Sequence, residues 1–356
     1  MKLQDIRKEI DQLDSEMLAL LNKRVQLAES VWEVKKKNGT SVFAPEREEA
    51  LLRRLVRENE GPLSKTALHC IYREILSASR QRQKQLIVAY LGPQGTHCHH
   101  AALKRFGSSD ELSPCRTIPE IFQQVERSEA DTGVVPIENS IEGGVNAAHD
   151  ALIHSDLNIC GEIYDEINHV LASKEGTEKI KRVYSHAQAL GQCRHYLNEN
   201  YPKAERIEVA STAKGALLAA EEKGAAAICS HFSAQISDLA IIDKNIQDNQ
   251  RNLTRFLIIS KNMPAATGKD KTSLMFSVNH QVGALSQILQ IFSDLEINLH
   301  NIESRPVVQK PWEYLFFVDV AGHCHQTKLG KALEQLQKHT LLLRILGSYP
   351  QADPHV

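Results

Sequence analysis

The feature that most constrains this chain is its opening heptad. Leu3, Ile6, Ile10, Leu13, Met17, Leu20, Leu27, Val31 and Val34 recur at alternating steps of three and four, with no breaker before Asn38-Gly39. Such a stripe specifies one helix of about 35 residues, roughly 50 Å long at about 1.5 Å per residue. That length exceeds the width of a small domain, so a short neighbouring segment cannot cover the stripe. A second copy of the chain is the expected cover, which predicts a homodimer or higher homo-oligomer. Pro45, followed by Glu46, Arg47, Glu48 and Glu49, predicts the start of a second helix, which Gly61-Pro62 ends. Ser64 is the expected cap of a third, whose apolar face is Leu68, Ile71, Tyr72, Ile75 and Leu76.

From about residue 86 the pattern changes. Strand-like runs at Leu86–Leu91, Thr132–Ile137, Arg182–Tyr184, Arg206–Val209, Ala225–Cys229 and Phe256–Ile259 are separated by helical stretches such as Ile118–Glu129 and Ala213–Lys223. This alternation predicts a doubly wound α/β unit with sites at strand ends. Met263–Gly268 reads as a linker. Beyond it come strand (Ser273–Val278), helix (Ala284–Ser293), strand (Ile297–Glu303), strand (Tyr314–Val320), helix (Thr327–Lys338) and strand (Leu341–Leu346). That βαββαβ order predicts a ferredoxin-like α+β unit. The expected domains are 1–85 (all-α), 86–262 (α/β) and 271–350 (α+β).

A chain of 356 residues suits two or three domains, and 42% hydrophobic with 24% charged residues describes a soluble protein. A net charge of −2 and the lack of a basic stripe argue against nucleic acid. No apolar run has membrane-spanning length, so no membrane is expected. The N-terminus enters an amphipathic helix without a signal peptide, and seven scattered cysteines point to a reducing cytoplasm.

In the helical segment, Arg24 falls on the heptad stripe between Leu20 and Leu27, where an arginine is costly unless paired. Lys35 lies eleven residues on and close to the same face, whereas Arg7 points about a quarter-turn away. Ser79 and Gln83 share one face of the third helix. The set reads either as an ion pair across a dimer seam or as an anion site in a helical bundle. Arg-x-x-Ile-Asp-x-Leu-Asp (Arg7–Asp14), Leu-Leu-x-x-Arg (Leu20–Arg24), Lys35, Arg47-Glu48, Ser79 and Gln83 resemble the helical chorismate mutase family. The resemblance implies an intertwined dimer that rearranges chorismate to prephenate. Arg7 (from the partner) and Arg24 would clamp carboxylates, with Arg47 and Ser79 also binding substrate. Lys35 and Gln83 would donate to the ether oxygen, and Glu48 would accept the substrate hydroxyl. A Claisen rearrangement needs only a held conformer and charge stabilisation. Ala44, where some members carry an acid, and Trp32, where a small residue is usual, depart from the pattern.

In the α/β segment, polar clusters stand at Gly92-Pro93-Gln94-Gly95-Thr96, Glu138-Asn139-Ser140, Ser185-His186 and Ser211-Thr212. Thr254-Arg255 opens a further run after the polar loop Gln247–Arg251. Each alone suits a turn or helix cap, but together they favour a cleft for a small polar anion. Gly92-Pro93-x-Gly95-Thr96, Pro136–Ser140, Ser185-His186-x-Gln188 and Asn252-x-Thr254-Arg255-Phe256 are similar to prephenate dehydratases. The resemblance implies two α/β lobes around a cleft, as in periplasmic binding proteins, and the conversion of prephenate to phenylpyruvate. Thr254 would hydrogen-bond the departing ring hydroxyl. Thr96, Cys98, Asn139, Ser140, Ser185, His186, Ser211, Thr212 and Arg255 would contact substrate, with Arg255 either a carboxylate ligand or an anchor for its loop. His97 and Cys98 replace the family's usual aromatic and hydroxyl residues. The runs His97–His100 and His323–His325 invite a metal reading, but adjacent residues are not expected to aim at one ion, so no metal is expected.

In the last segment, Gly283-Ala284-Leu285 and Glu303-Ser304-Arg305-Pro306 resemble the effector motifs of ACT regulatory domains, implying that L-phenylalanine binds at a subunit interface. The joint expectation is a bifunctional enzyme of phenylalanine biosynthesis without a cofactor, binding chorismate and prephenate and regulated by L-phenylalanine. The alternative is a phenylalanine-binding regulator whose catalytic sites are impaired.

Overall fold

A computed structural model describes all residues except 1, 38–41, 175, 177–179, 250, 307–313 and 355–356. The expected break at Asn38-Gly39, and Gln250 of the polar loop, lie outside the described residues. The chain divides into two compact units, residues 1–87 with 105–111, and residues 88–104 with 112–356.

The first unit contains α1 (Leu3–Lys37), α2 (Pro45–Glu58) and α3 (Lys65–Gln83). Proline stands at the start of α2, and Ser64 caps α3 by accepting a hydrogen bond from Ala67 N–H. No residue of α1 is buried. Leu13, Leu20, Leu27 and Val34 are 58%, 66%, 60% and 61% exposed, so the heptad stripe is uncovered within the chain. Arg24 lies where the uncovered stripe meets the half-buried face: it is four residues from Leu20 and three from Leu27, and it is half-buried with Leu21, Ala28, Trp32 and Lys35, because residues three and four apart share a helix face. That face meets α3, where Arg24 donates to Ser79 Oγ at 2.5 Å and Arg82 to Glu29 at 2.7 Å.

The second unit begins with one lobe: β1 (Ile87–Leu91), α4 (His97–Phe106), β2 (Glu111–Cys115), α5 (Ile118–Glu126), β3 (Thr132–Asn139), β4 (Gly143–Gly144), α6 (Asn146–His154) and β5 (Asn158–Glu166). A second lobe follows: β6 (Val170–Ser173), β7 (Arg182–Ser185), α7 (Ala187–Gln192), α8 (Arg194–Asn200), β8 (Glu205–Glu208), α9 (Thr212–Glu221), β9 (Ala225–Cys229), α10 (His231–Ile236) and β10 (Ala240–Lys244). The chain then returns to the first lobe as β11 (Leu253–Ser260). The sheet orders are β2-β1-β3-β11-β5, with β4 on β3, and β10-β6-β9-β7-β8. Two crossings therefore join the lobes, and the backbone bonds Ile246 N–H to His169 C=O and Ile167 N–H to Asn252 C=O tie them together. Strands β5, β6 and β10 lacked a strong sequence signal: Asp165, Glu166, Asp243 and Lys244 break the apolar runs of β5 and β10, and β6 is only four residues long.

The last element group is β12 (Asp270–Ser277), α11 (Ala284–Asp294), β13 (Leu299–Pro306), β14 (Tyr314–Ala321), α12 (Thr327–His339) and β15 (Leu342–Pro350). The antiparallel order β13-β14-β12-β15, with α11 and α12 packed over Leu274, Phe276, Val318 and Val320, is the expected ferredoxin-like arrangement. No described helix is long and apolar enough to cross a membrane.

Candidate active sites and effector strand

In the helical unit the expected cations occupy different environments. Arg24 is half-buried, and burial lowers its proton affinity, with Tyr72 and Glu48 opposing that shift. Lys35 is also half-buried and donates to Val42 C=O at 3.4 Å. Gln83 is half-buried on α3, while Arg7 and Arg47 are exposed. Seventeen residues separate Arg7 from Arg24, roughly 25 Å along a straight helix, so Arg7 cannot serve the Arg24 site of its own chain. Glu48 differs from the expected free acceptor. It is buried, and its two oxygens accept from Arg80 at 2.5 Å and Arg105 at 2.7 Å. Burial pushes its carboxyl up, but the two guanidiniums outweigh that effect and hold it below the usual range. A substrate hydroxyl would find a carboxylate already fixed by two cations. Asp110, Phe106 C=O and Ser77 complete this cluster, with Arg80 2.7 Å from Asp110.

In the two-lobed unit a chain of hydrogen bonds starts from the backbone. Ile141 and Glu142 N–H donate to Asn139 Oδ1 at 3.0 and 3.2 Å, which identifies the amide's other atom as nitrogen. Asn139 Nδ2 donates to Thr254 Oγ1 at 2.8 Å and to Asn252 Oδ1 at 2.7 Å. Asn252 Nδ2 therefore donates to Gln192 Oε1 at 3.3 Å, and His169 Nε2–H donates to the same oxygen at 3.0 Å. Gln247 accepts from His169 N–H and donates to Asn168. These residues come from the end of β3, the start of β11, the end of α7 and both interlobe crossings. Because Thr254 Oγ1 accepts from Asn139, its hydroxyl proton is left to point elsewhere. Thr254 is 8% exposed, so this hydroxyl works in a low-dielectric setting.

His97 lies edge-on to His169, with ring centroids 6.3 Å apart. Burial pushes His97 down to about 4 and also lowers His169, so both are neutral near pH 7. His97 Nε2, His169 Nδ1 and Gln192 Nε2 are buried without a hydrogen-bond partner among the described residues. Buried polar atoms in this condition are the ones a ligand or water satisfies.

Several expected substrate contacts face other ways. Cys98 is 4% exposed and turned into the first lobe's sheet, where Sγ donates to Val134 C=O at 3.2 Å and accepts from Leu91 N–H. Burial pushes its thiol up to about 12, and its direction into the sheet differs from the expected substrate contact. Ser185 is fully buried and donates to Ile228 C=O. His186 and Ser211 cap α7 and α9, with Thr212 opening α9, and Thr96 Oγ1 caps α4 while donating to Leu91 C=O. Ser140 Oγ accepts from Leu253 N–H, at the start of β11. The contacts of Arg255 favour the anchor reading. Its guanidinium is buried and donates to Glu162 at 2.8 Å, Asp319 at 2.5 Å and Tyr349 Oη at 2.9 Å. Asp319 and Tyr349 belong to β14 and β15, so Arg255 joins the lobe to the ferredoxin-like sheet. Sequence reasoning passed over Gln192, His169 and Asn252 as site residues. Asn252 stood inside the quoted motif, and Gln192 lies one helical turn beyond Gln188, but only the fold brings them beside Thr254.

In the ferredoxin-like group, Gly283 has φ +81° at the N-cap of α11, a left-handed conformation that disfavours a side chain. Ala284 is buried and Leu285 half-buried at the start of that helix. Along the edge strand β13, Glu303 and Arg305 are half-buried, and Ser304 and Pro306 are exposed. The donor atoms of His323, Cys324 and His325 lie within 4.8 Å of one another, closer than their adjacency suggested. His323 is nevertheless engaged at both nitrogens, with Pro264 C=O at 3.0 Å and His325 N–H at 3.2 Å.

A helical unit with half-buried cations, two α/β lobes with an oriented hydroxyl, and a ferredoxin-like sheet define a multidomain enzyme for small anions with a regulatory module. Family models match in the same order: chorismate mutase type II over residues 6–84, prephenate dehydratase over 88–264 and the ACT domain over 272–338. The chain is 45% identical to a bifunctional chorismate mutase/prephenate dehydratase of Aquifex aeolicus, over 99% of this chain and 98% of that one. It therefore belongs to the bifunctional chorismate mutase/prephenate dehydratase family and is an enzyme of both types. Among solved structures, a prephenate dehydratase of Arthrobacter aurescens in complex with L-Phe is 35% identical, with a TM-score of 0.70, over 76% of this chain and 91% of that one. A protein described as a quorum-quenching acylase, GqqA, is 27% identical with a TM-score of 0.69, over 76% of this chain and 100% of that one. One fold thus carries different activities, and the role of each residue rests on the site.

Proposed function

We propose that the chain catalyses consecutive steps of phenylalanine biosynthesis, with residues 1–85 rearranging chorismate to prephenate, residues 86–262 converting prephenate to phenylpyruvate, and residues 271–350 sensing L-phenylalanine. The observation that carries the dehydratase reading is the hydrogen bond from Asn139 to Thr254 Oγ1. It leaves Thr254 as a donor to the ring hydroxyl of prephenate. Loss of that hydroxyl with carbon dioxide makes the ring aromatic, which supplies the driving force. A threonine hydroxyl is a weak acid, so its contribution is a positioned hydrogen bond to the leaving oxygen. Gln192 Nε2 and the two histidine nitrogens are further partners for substrate polar groups or water.

For the mutase step, Arg24 with Ser79 is the carboxylate clamp, and Lys35 and Gln83 are donors to the ether oxygen. The uncovered α1 stripe and the distance between Arg7 and Arg24 support a homodimer in which Arg7 completes the partner's site. This reading places the enzyme in the cytoplasm, in keeping with free cysteines, six of which are buried.

The test supplies each substrate separately. Thr254→Ala is expected to lower phenylpyruvate formation from prephenate by about 10²-fold or more while chorismate consumption is retained. Arg24→Ala is expected to do the reverse. A Thr254→Ala enzyme with normal dehydratase kcat refutes the role given to this hydroxyl. Conversion of neither substrate by the unmodified chain would favour the alternative, a phenylalanine-binding regulator.

A further inference from the structure

The inner face of β13 grips the segment that orients Thr254. Residues alternate across a strand, and Asn301, Glu303 and Arg305 are half-buried while Ile302, Ser304 and Pro306 are exposed. Asn301 Nδ2 donates to Glu138 Oε2 at 3.3 Å. Glu303 Oε2 is 3.2 Å from His149 Nε2. Arg305 donates to Asn146 Oδ1 and, at 2.8 Å, to Asp150 Oδ1. All four partners lie between residues 138 and 150, the stretch from the end of β3 through β4 into α6.

Glu303 lies against both Gly144 of the short β3–β4 ladder and His149 of α6. A Cβ built on Gly144 would stand 2.2 Å from Glu303 Oε1 and 2.4 Å from Oε2, so a side chain there would displace the carboxylate from this seat. Gly144 pairs with Glu138, and Gly143 pairs with Asn139, in the short β3–β4 ladder. Any displacement of Gly144 thus reaches Asn139 through backbone pairing, and Asn139 holds Thr254 Oγ1. The contact with His149 also needs a proton. His149 Nδ1–H donates to Val145 C=O at 3.2 Å, so Nε2 faces the Glu303 oxygen with a lone pair unless a proton is shared between them. Arg305 and Asp150 are the other charged groups acting on His149, and the Phe317 ring packs edge-on at 4.7 Å.

We infer that Glu303 is a positioning residue of the dehydratase: seated on Gly144 and His149, it sets the β3–β4 turn and, through Asn139, the donor direction of Thr254. This rests on the proposed role of Thr254 and goes beyond effector binding, because it assigns Glu303 a function when no effector is present. The effector motif and the contacts to the catalytic turn then share one strand, and any ligand that shifts β13 shifts Asn139.

The test uses full-length protein without L-phenylalanine. Glu303→Ala is expected to lower dehydratase kcat about tenfold, with KM within about twofold and chorismate mutase activity unchanged. Glu303→Gln, whose amide can donate to a neutral His149, is expected to restore most of kcat. Gly144→Ala, which alters no residue of the effector motif, is expected to reproduce the kcat loss. Normal basal kcat in both Glu303→Ala and Gly144→Ala, with loss confined to L-phenylalanine affinity measured by calorimetry, would overturn the inference. If Thr254→Ala is inactive while these variants are normal, this inference alone fails; if Thr254→Ala is active, the reading beneath it fails.

Discussion

Replacing Arg255 with leucine tests whether this residue is an anchor or a substrate ligand. The guanidinium is buried among Glu162, Asp319 and Tyr349. After its removal Glu162 keeps Lys271 Nζ at 2.8 Å and Ala352 N–H at 3.1 Å, whereas Asp319 keeps the Ser273 hydroxyl at 2.5 Å. Asp319 is thus a buried carboxylate that loses the cation closest to it. Breaking a buried pair by deleting one partner costs about 3–5 kcal/mol. At about 2–4 °C per kcal/mol for a unit of this size, the thermal midpoint is expected to fall by roughly 10 °C. The pH dependence adds a second signature. In the unmodified protein burial pushes the Asp319 carboxyl up, but Arg255, Ser273 and Lys271 outweigh it and hold it below the ordinary range. That depressed value gives stability that is present above the unfolded carboxyl's pKa of about 4 and lost as pH falls through the folded value. In Arg255→Leu the burial effect loses its main opponent and the folded carboxyl rises. The penalty is therefore largest near pH 7–8 and shrinks as acid protonates Asp319. The assay is thermal unfolding of both proteins at a series of pH values, with dehydratase kinetics at each. A midpoint within about 2 °C of the parent, together with a raised prephenate KM at unchanged kcat, would refute the anchor and make Arg255 a substrate ligand.

Cys98→Ser should leave the prephenate KM unchanged within about twofold and lower stability by about 1 kcal/mol, because the side chain faces Val134 in the sheet; steady-state kinetics and urea unfolding check this. Ala44 stands at the N-cap of α2, where Arg47 and Glu48 N–H reach its carbonyl but no side chain caps the helix. Ala44→Asp is expected to add about 1 kcal/mol to the stability of the helical unit, and an unchanged or lower urea midpoint would contradict that. Leu20→Glu, a change on the uncovered stripe, should shift sedimentation toward monomer and lower chorismate mutase activity at a given subunit concentration while sparing the dehydratase. A variant that sediments with the parent would count against the α1 dimer.

The helical boundaries and the βαββαβ order were legible in the sequence because they follow from local chemistry. Ser64 caps a helix only on its C-terminal side, Pro45 favours a helix start, and the apolar spacing of Ala284–Asp294 suits a helix alone. The residues of the polar chain were legible only as a crowd. Asn139 and Thr254 stood in motifs, but His169 and Gln192 carried no local mark. Their roles arise where two interlobe crossings and the end of α7 meet, between segments far apart in the chain. Side-chain direction was the other hidden quantity. In α4, successive residues turn by about 100°, so His97 meets His169 while Cys98 enters the sheet. In β11, neighbours point to opposite faces. Because both faces of that strand are covered, Thr254 and Arg255 look alike as a polar pair in the sequence. Residue order alone established that a hydroxyl and a guanidinium open the strand. Packing on the two faces of β11 then separated them: the hydroxyl meets Asn139 beside the interlobe crossings, while the guanidinium reaches Asp319 and Tyr349 of the ferredoxin-like sheet.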